Sequence, residues 1–146
     1  MRISILAIGK PKLPYAKAGV EEYAKRLTPW GETRIDYLKS GSQEEEGAQL
    51  LARSEGMFRV ILDERGDQVS SRGLADKVAA WEQGRIKAVA FLIGGADGHS
   101  EAVRSKADWR WALGKITLQH ELALVVLLEQ IYRARTILAG SPYHRD

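Results

Sequence analysis

Residues 89–95 read Val89-Ala90-Phe91-Leu92-Ile93-Gly94-Gly95, an unbroken apolar run followed by two glycines. A short apolar run of this kind is typical of a strand covered on both faces, as the central strands of a parallel sheet are. The glycines allow the backbone to turn sharply and let a ligand approach main-chain atoms directly. The stretch therefore predicts the centre of an α/β domain, ending either in a binding loop or in a plain strand-to-helix turn.

Short β-rich runs and helical patterns alternate along the rest of the chain. This alternation predicts an α/β domain with a mostly parallel sheet and helices on both faces. No internal repeat, low-complexity tract or linker interrupts the pattern, so residues 1–146 are predicted to form a single domain. The predicted strands are 3–8, 33–38, 59–62 and 89–93, and the predicted helices are 15–27, 42–54, 71–83, 100–107 and 121–139.

The segment before the last predicted helix contains Trp109-Arg110-Trp111. Aromatic and basic residues alternate in some nucleic-acid-binding surfaces, but the period of two favours a strand with both tryptophans in the core. Residues 116–118 are expected to continue this segment as extended chain. Open α/β sheets bind ligands at the carboxyl ends of their strands, so we expect the loops after Leu62, Ile93 and Leu118 to form the functional edge.

The composition excludes several classes of protein. There is no cysteine, which rules out disulfides, thiolate metal sites and cysteine nucleophiles and agrees with a reducing cytoplasm. The N-terminal apolar stretch is too short for a signal peptide, and the longest uncharged apolar run, 122–128, is too short for a membrane span. His99, His120 and His144 lack the spacing of a metal site. We therefore expect a cytoplasmic location, no membrane insertion and no metal.

The C-terminal segment Ser141-Pro142-Tyr143-His144-Arg145 has the composition of a binding segment rather than of a frayed tail. Tyr and His side chains stack on unstacked bases, and an arginine binds phosphate through two hydrogen bonds. The net charge of +3 is modest, but basic side chains gather at this end of the chain. A weak overall charge with a basic end favours one folded RNA over indiscriminate nucleic-acid binding.

The glycine turn after the central strand reads Gly94-Gly95-Ala96-Asp97-Gly98. It is not a phosphate-binding loop, because no Gly-Lys-Ser/Thr follows, and its spacing differs from that of a dinucleotide fingerprint. A cofactor held by backbone contacts suits this turn better than one held by its phosphates. S-adenosylmethionine is such a cofactor because it carries no phosphate.

The last predicted helix carries two further candidates. His120 stands at its start, where it is either a proton acceptor or a structural capping residue. Glu129 and Arg133 are four residues apart, which favours an intrahelical ion pair. They also interrupt a helix that is otherwise apolar almost all round, and this favours a functional role for the pair.

Taken in order, these motifs resemble those of the bacterial ribosomal RNA large subunit methyltransferase H family, a minimal member of the SPOUT class of S-adenosylmethionine-dependent methyltransferases. The resemblance covers nearly the whole chain. The motifs that carry it are Ala7-Ile8-Gly9-Lys10, Glu22-Tyr23-Ala24-Lys25-Arg26-Leu27, Leu62-Asp63-Glu64-Arg65-Gly66, Phe91-Leu92-Ile93-Gly94-Gly95-Ala96-Asp97-Gly98, Leu128-Glu129-Gln130-Ile131-Tyr132-Arg133-Ala134 and Pro142-Tyr143-His144-Arg145.

The resemblance implies an enzyme that methylates N3 of a pseudouridine in 23S rRNA, with the assembled ribosome as substrate. It also implies a homodimer and a C-terminal trefoil knot that forms the cofactor pocket, which no sequence pattern predicts. The implied cofactor-binding residues are Leu62, Gly94, Leu113, Gly114, Lys115, Ile116, Thr117 and Leu118. The implied catalytic and substrate-binding residues are His120, Arg133, Tyr143, His144 and Arg145.

Each implied substrate residue has a physical role that its side chain suits. The arginines, Arg133 and Arg145, would hold RNA phosphate or stabilise the deprotonated base, and Tyr143 would orient or stack the pseudouridine. Either His120 or His144 would accept the N3 proton.

The resemblance departs from the family pattern at Gln119, where proline is common, and at Leu124, where arginine is frequent and could contact RNA. A SPOUT methyltransferase with another RNA target, such as tRNA, and a non-enzymatic ribosome-binding protein remain as alternatives. A nucleotide-binding oxidoreductase is disfavoured because the phosphate-binding loop is missing.

Overall fold

The computed structural model describes residues 1–144, so the implied substrate residue Arg145 lies outside the described residues. Strands and helices alternate as the sequence predicts. The strands are β1 (Arg2–Ile8), β2 (Thr33–Leu38), β3 (Phe58–Asp67), β4 (Ala88–Ile93) and β5 (Trp109–Trp111). The helices are α1 (Pro14–Leu27), a 3-10 turn (Thr28–Trp30), α2 (Gln43–Arg53), α3 (Ser71–Gln83), α4 (Glu101–Ser105) and α5 (His120–Ala139).

The five strands form one sheet in the order β2-β1-β4-β3-β5, and every neighbouring pair is parallel. β4 lies at the centre, between β1 and β3, and each of its six residues is buried. The apolar run at 89–93 therefore predicted correctly that this strand lies at the centre of the sheet. Because all strands run the same way, their carboxyl ends meet at one edge.

Each face of the sheet is covered by its own apolar core, which confirms the prediction of helices on both faces. One core joins Ile5, Phe91 and Trp109 to α1, α3 and α5. The other joins Leu6 and Leu92 to α2 and α4. Alternate residues of one strand thus enter opposite cores, as the period of two in a strand requires.

Both tryptophans of β5 lie in the core, as their spacing predicts. Trp109 and Trp111 are 7% and 3% exposed, and their rings stack with centroids 5.4 Å apart. The indole nitrogen of Trp109 donates to Asp67 at 3.0 Å, so its polar atom is satisfied. These side chains are core residues and not a nucleic-acid-binding stripe.

The expectation of extended chain at residues 116–118 is wrong. β5 ends at Trp111, and the chain then forms an irregular loop, 112–119, with a bend at 115–116. A strand needs a neighbour with which to exchange hydrogen bonds. The neighbour of β5 is β3, and the last paired residue of β3, Asp67, already lies beside Trp111.

A bulge interrupts β3 at residues 63–66, because Leu62 and Asp67 both pair with Trp111. Gly66 makes the bulge sterically feasible. A Cβ atom on this residue would lie 2.6 Å from the carbonyl carbon and oxygen of Arg110. The bulge turns Asp63 and its successors toward the carboxyl edge of the sheet, as bulges next to binding sites commonly do.

The start of α5 is held by side chains on both sides of His120. Gln119 is the N-cap, and its side-chain oxygen accepts from the amides of Glu121 at 2.9 Å and Leu122 at 3.1 Å. The reading of His120 as the cap is therefore wrong. Glu121 is 7% exposed and accepts from two amides just before α1, those of Lys12 at 2.7 Å and Leu13 at 2.9 Å.

α5 is the most apolar of the helices, and its buried apolar residues pack in the core that it shares with α1 and α3. Within residues 1–144, no helix is both long and apolar enough to cross a membrane.

We predict that Gly66→Ala lowers the free energy of unfolding by about 2 kcal/mol, because the new methyl group collides with backbone that side-chain rotation cannot move. Gly114→Ala is the matched control, since a Cβ atom there meets nothing within 4 Å. Urea denaturation of both variants measures the difference. Equal stabilities of the two variants would contradict the close approach at Gly66.

Candidate active site

A cavity of about 580 Å³ opens at the carboxyl ends of β3 and β4. Its wall is formed by residues 63–65 of the bulge, the glycine turn 94–98, most of the loop 113–119 and the start of α5. This volume lies within the range of small-molecule binding sites. The cavity lies at the carboxyl edge of the sheet, where the sequence predicts the functional loops after Leu62, Ile93 and Leu118.

Most of the implied cofactor residues meet at this cavity although they are distant in sequence. Lys115 is the exception, because it is exposed and does not line the wall. His120, an implied catalytic residue, does line it. The implied cofactor residues on the wall are Leu62, Gly94, Leu113, Gly114, Ile116, Thr117 and Leu118.

The glycine turn is tightly packed from behind, which explains its composition. A Cβ atom on Gly95 would lie 2.8 Å from the Glu46 carboxylate, and one on Gly94 would lie 3.1 Å from the carbonyl carbon of Gly98. The side-chain amide Nε2 of Gln43 donates to the carbonyl oxygen of Asp97 at 2.8 Å and ties the turn to α2. The turn therefore offers its backbone to the cavity with little side-chain cover.

His99 lies on the cavity wall and was not predicted as a binding residue. It is 4% exposed, and its Nε2 donates to the carbonyl oxygen of Leu92 at 3.1 Å. Burial lowers the pKa of His99, so the ring is neutral near pH 7 and Nδ1 carries a lone pair. Nδ1 has no hydrogen-bond partner within residues 1–144. A buried acceptor without a partner is a position where a ligand donor would be stabilised.

Asp63 forms a charged cluster with two arginines on the wall. Its side chain is 6% exposed, accepts from the Arg65 amide at 3.0 Å, and lies 3.3 Å from Nε of Arg104 and 3.6 Å from Nε of Arg65. Burial alone would raise the pKa of Asp63. The amide hydrogen bond and the two guanidinium charges outweigh burial and hold the pKa below its ordinary value. Asp63 is therefore ionised, and the sequence motif gave no sign of this partnership.

These residues fit S-adenosylmethionine. Apolar side chains on the wall, among them Leu62, Leu113 and Leu118, suit a purine ring, and the exposed backbone of the glycine turn suits its edge. The charged cluster and the acceptor on His99 suit the polar part of the molecule. Among residues 1–144 no group of three acidic or histidine side chains is placed to hold a metal ion, so the predicted absence of a metal is not contradicted there.

The remaining implied substrate residues gather elsewhere, between α1 and the second half of α5. The Tyr143 hydroxyl donates to Glu129 at 2.8 Å, and Nη2 of Arg133 donates to the same carboxylate at 2.7 Å. The Arg133 guanidinium lies 5.1 Å from the centroid of the Tyr143 ring. At 1.5 Å rise per residue, α5 separates His120 from Arg133 by about 20 Å. We call Glu129, Arg133 and Tyr143 the tail cluster.

Two opposite pKa shifts set the charges of the tail cluster. Burial raises the pKa of Glu129, but its hydrogen bonds with Arg133 and Tyr143 outweigh burial, and the pKa falls below its ordinary value. Burial, followed by the hydrogen bonds with Tyr23 and Glu129, raises the pKa of Tyr143. Glu129 is thus ionised and Tyr143 is protonated at neutral pH. Tyr143 acts as a hydrogen-bond donor here and not as a base.

Two residues of α1 complete this region, and motif reasoning missed them as site residues. The Arg26 guanidinium lies 5.6 Å from the ring centroid of Tyr23, 5.7 Å from that of Tyr132 and 5.9 Å from that of Tyr143. The Tyr23 hydroxyl is 3.4 Å from that of Tyr143. The pairing of Tyr23 with Arg26, one helical turn apart, was the available signal. His144 follows the cluster and is partly buried.

Comparisons with known proteins agree with this architecture. A tRNA methyltransferase of Aquifex aeolicus shares the fold, with a TM-score of 0.58 at 14% identity over 99% of this chain and 74% of that chain. Proteins named ribosomal RNA large subunit methyltransferase H are 47% identical in Thermus thermophilus and 41% identical in Deinococcus radiodurans, over 99% of both chains in each pair.

The family model described as "Predicted SPOUT methyltransferase" matches residues 1–144. This match and the full-length relatives confirm the resemblance seen in the sequence motifs. The chain belongs to the SPOUT methyltransferases and, among them, to the ribosomal RNA large subunit methyltransferase H family.

Proposed function

We propose that this enzyme transfers the methyl group of S-adenosylmethionine to N3 of a pseudouridine in 23S rRNA, on the assembled ribosome in the cytoplasm. The observation that carries the proposal is the cavity at the carboxyl ends of β3 and β4, in a chain of this family. The name of the relatives, ribosomal RNA large subunit methyltransferase H, supports ribosomal RNA as the substrate.

The cofactor supplies a methyl group that is already activated by its positive sulfur. The chain must therefore align this methyl group with N3 and remove the N3 proton. Leu62, Leu113 and Leu118 would bury the purine and exclude water from one side of the cavity. The backbone of the glycine turn would read the purine edge.

His120 and His144 remain the two candidates for the proton acceptor. His120 lines the cavity of its own chain as the first residue of α5. His144 follows the tail cluster, which is on the far part of α5, so it would reach a cavity only in a second copy of the chain. A base at His120 would therefore act within one chain, whereas a base at His144 would require a dimer.

A homodimer, in which the tail of one chain meets the cavity of the other, is part of the proposal. The distance along α5 between His120 and Arg133 supports it, because a single chain does not bring the two groups together. Leu122 and Val126, four residues apart on α5, are partly exposed and belong to neither core, so this apolar face suits a partner chain. The trefoil knot stays a prediction from the resemblance.

Within the tail cluster, Glu129 would position the groups that meet RNA. Its carboxylate holds Tyr143 and Arg133 at the same time. Tyr143 would then stack on or orient the pseudouridine. Arg133, together with Arg145 outside the described residues, would stabilise phosphate or the deprotonated base.

We expect the purified enzyme to methylate assembled ribosomes in the presence of S-adenosylmethionine, with little transfer to free subunits or tRNA. Mass spectrometry of rRNA from cells with and without the gene should place the methyl group at N3 of a pseudouridine. Transfer to tRNA instead would favour the alternative RNA target. Ribosome binding with no cofactor binding by calorimetry would favour the non-enzymatic alternative.

We expect either His120→Ala or His144→Ala to reduce the methylation rate by about 100-fold and to remove a pH-dependent limb of the rate profile, as loss of a general base does. The other substitution should leave the shape of the profile unchanged. Single-turnover rates on ribosomes across pH measure this difference. Unchanged rates in both variants at every pH would exclude a histidine base.

We expect Tyr143→Phe to lower kcat/KM for ribosomes by about 10-fold, because loss of a hydrogen bond to a charged group costs about 1.5–3 kcal/mol. The dissociation constant for S-adenosylmethionine should stay within twofold, since the tail cluster does not line the cavity. Tyr15→Phe, at a side chain that is 51% exposed, is the matched control. A parallel loss of cofactor affinity in Tyr143→Phe would place the tyrosine in the cofactor site instead.

A further inference from the structure

Arg104 reaches the cavity from α4, a helix to which the sequence motifs assign no function. Its Nε donates to the buried carboxylate of Asp63 at 3.3 Å. Its backbone carbonyl accepts from Arg110 at 3.3 Å, which ties the end of α4 to β5. The Arg104 side chain is 22% exposed, although arginine side chains are generally among the most exposed in proteins. The guanidinium is thus held in one place on the wall.

Within residues 1–144, only one edge of the Arg104 guanidinium forms a hydrogen bond. The hydrogen bond with Asp63 uses Nε, and neither Nη1 nor Nη2 of Arg104 forms a hydrogen bond with the described residues. Nη2 lies beside the glycine turn, 4.0 Å from the position that a Cβ atom on Gly98 would take. An arginine fixed by one edge offers the other edge as a preorganised pair of donors.

We propose that Arg104 binds the carboxylate of the methionine part of S-adenosylmethionine, and that Asp63 is the residue that positions it. This inference rests on the proposed function because it takes S-adenosylmethionine as the ligand of the cavity. A guanidinium edge and a carboxylate match in geometry through two parallel hydrogen bonds. The assignment gives the cofactor a direction, with its carboxylate against α4.

The other charges on the wall favour the same direction. Glu64 and Asp97 are acidic and exposed, so they repel a carboxylate and attract the amino group and the positive sulfur of the cofactor. Arg65 is the other guanidinium on the wall, but its side chain is 66% exposed and screened by solvent. Of the two arginines on the wall, Arg104 therefore stabilises a bound anionic group more strongly.

RNA phosphate is the competing anion, and the burial of Arg104 argues against it. A phosphate of a folded RNA carries a bulky chain on both sides and contacts arginines that project from the surface. Arg104 instead lies on the wall of a cavity of small-molecule size, next to the glycine turn. A free amino acid carboxylate fits this setting.

Calorimetry with two ligands tests the assignment in the full-length protein. The ligands are S-adenosylmethionine and decarboxylated S-adenosylmethionine, which differ by the carboxylate alone. We expect Arg104→Gln to weaken the first ligand by about 10- to 100-fold, the range for a hydrogen-bonded charge pair, and to change the second by less than twofold. Arg104→Lys should bind S-adenosylmethionine more tightly than Arg104→Gln but less tightly than the wild type. Lysine keeps the positive charge but lacks the two parallel donors of the guanidinium. Arg34→Gln is the matched control, since Nε of Arg34 lies 3.2 Å from an aspartate remote from the cavity.

Each other outcome overturns the assignment in a recognisable way. An equal loss of both ligands in Arg104→Gln would mean that the arginine supports the wall and does not contact the carboxylate. Unchanged affinity for both, combined with weaker binding of ribosomes, would assign Arg104 to RNA phosphate. If the wild-type protein bound neither ligand, the proposed function itself would fail, and the inference would fail with it.

Discussion

The parallel pairing of β4 with both β1 and β3 is the constraint on which the rest of the molecule depends. It buries all six residues of β4 and requires a helix on each face of the sheet. It also directs every strand to the same edge, so the loops that follow β3 and β4 become neighbours. The cavity is a consequence of this geometry, because the two loops diverge above the sheet and leave space between them.

Two local devices convert that edge into a shaped site. The bulge at 63–66 places Asp63 on the wall, where Gly66 permits the backbone of β5 to pass at close range. Gln119 caps α5, whose first residue is His120, and at this position the imidazole of His120 lines the cavity. The glutamine here satisfies two helix amides that a proline would leave to solvent or to other groups.

The charged groups of the molecule act in two separate sets. One set is centred on Asp63 and faces the cavity, and the other is centred on Glu129 and holds Tyr143 and Arg133. In each set, arginine and other hydrogen-bond donors lower the pKa of a buried or partly buried carboxylate and keep it ionised. The ionised carboxylate in turn holds these donors in position. Groups that are held in place by the protein itself lose less entropy when a ligand binds.

Signals that are local in sequence, namely apolar runs and the alternation of β-rich runs with helical patterns, were sufficient for the order of the elements and for a mostly parallel sheet. They failed at residues 116–118, because extended chain requires a neighbouring strand that no local pattern reports. The partnership of Asp63 with Arg104, the place of His99 on the cavity wall and the distance between cavity and tail cluster came from the tertiary structure alone. They depend on contacts between residues far apart in the chain, and a linear pattern carries no record of which distant side chains meet.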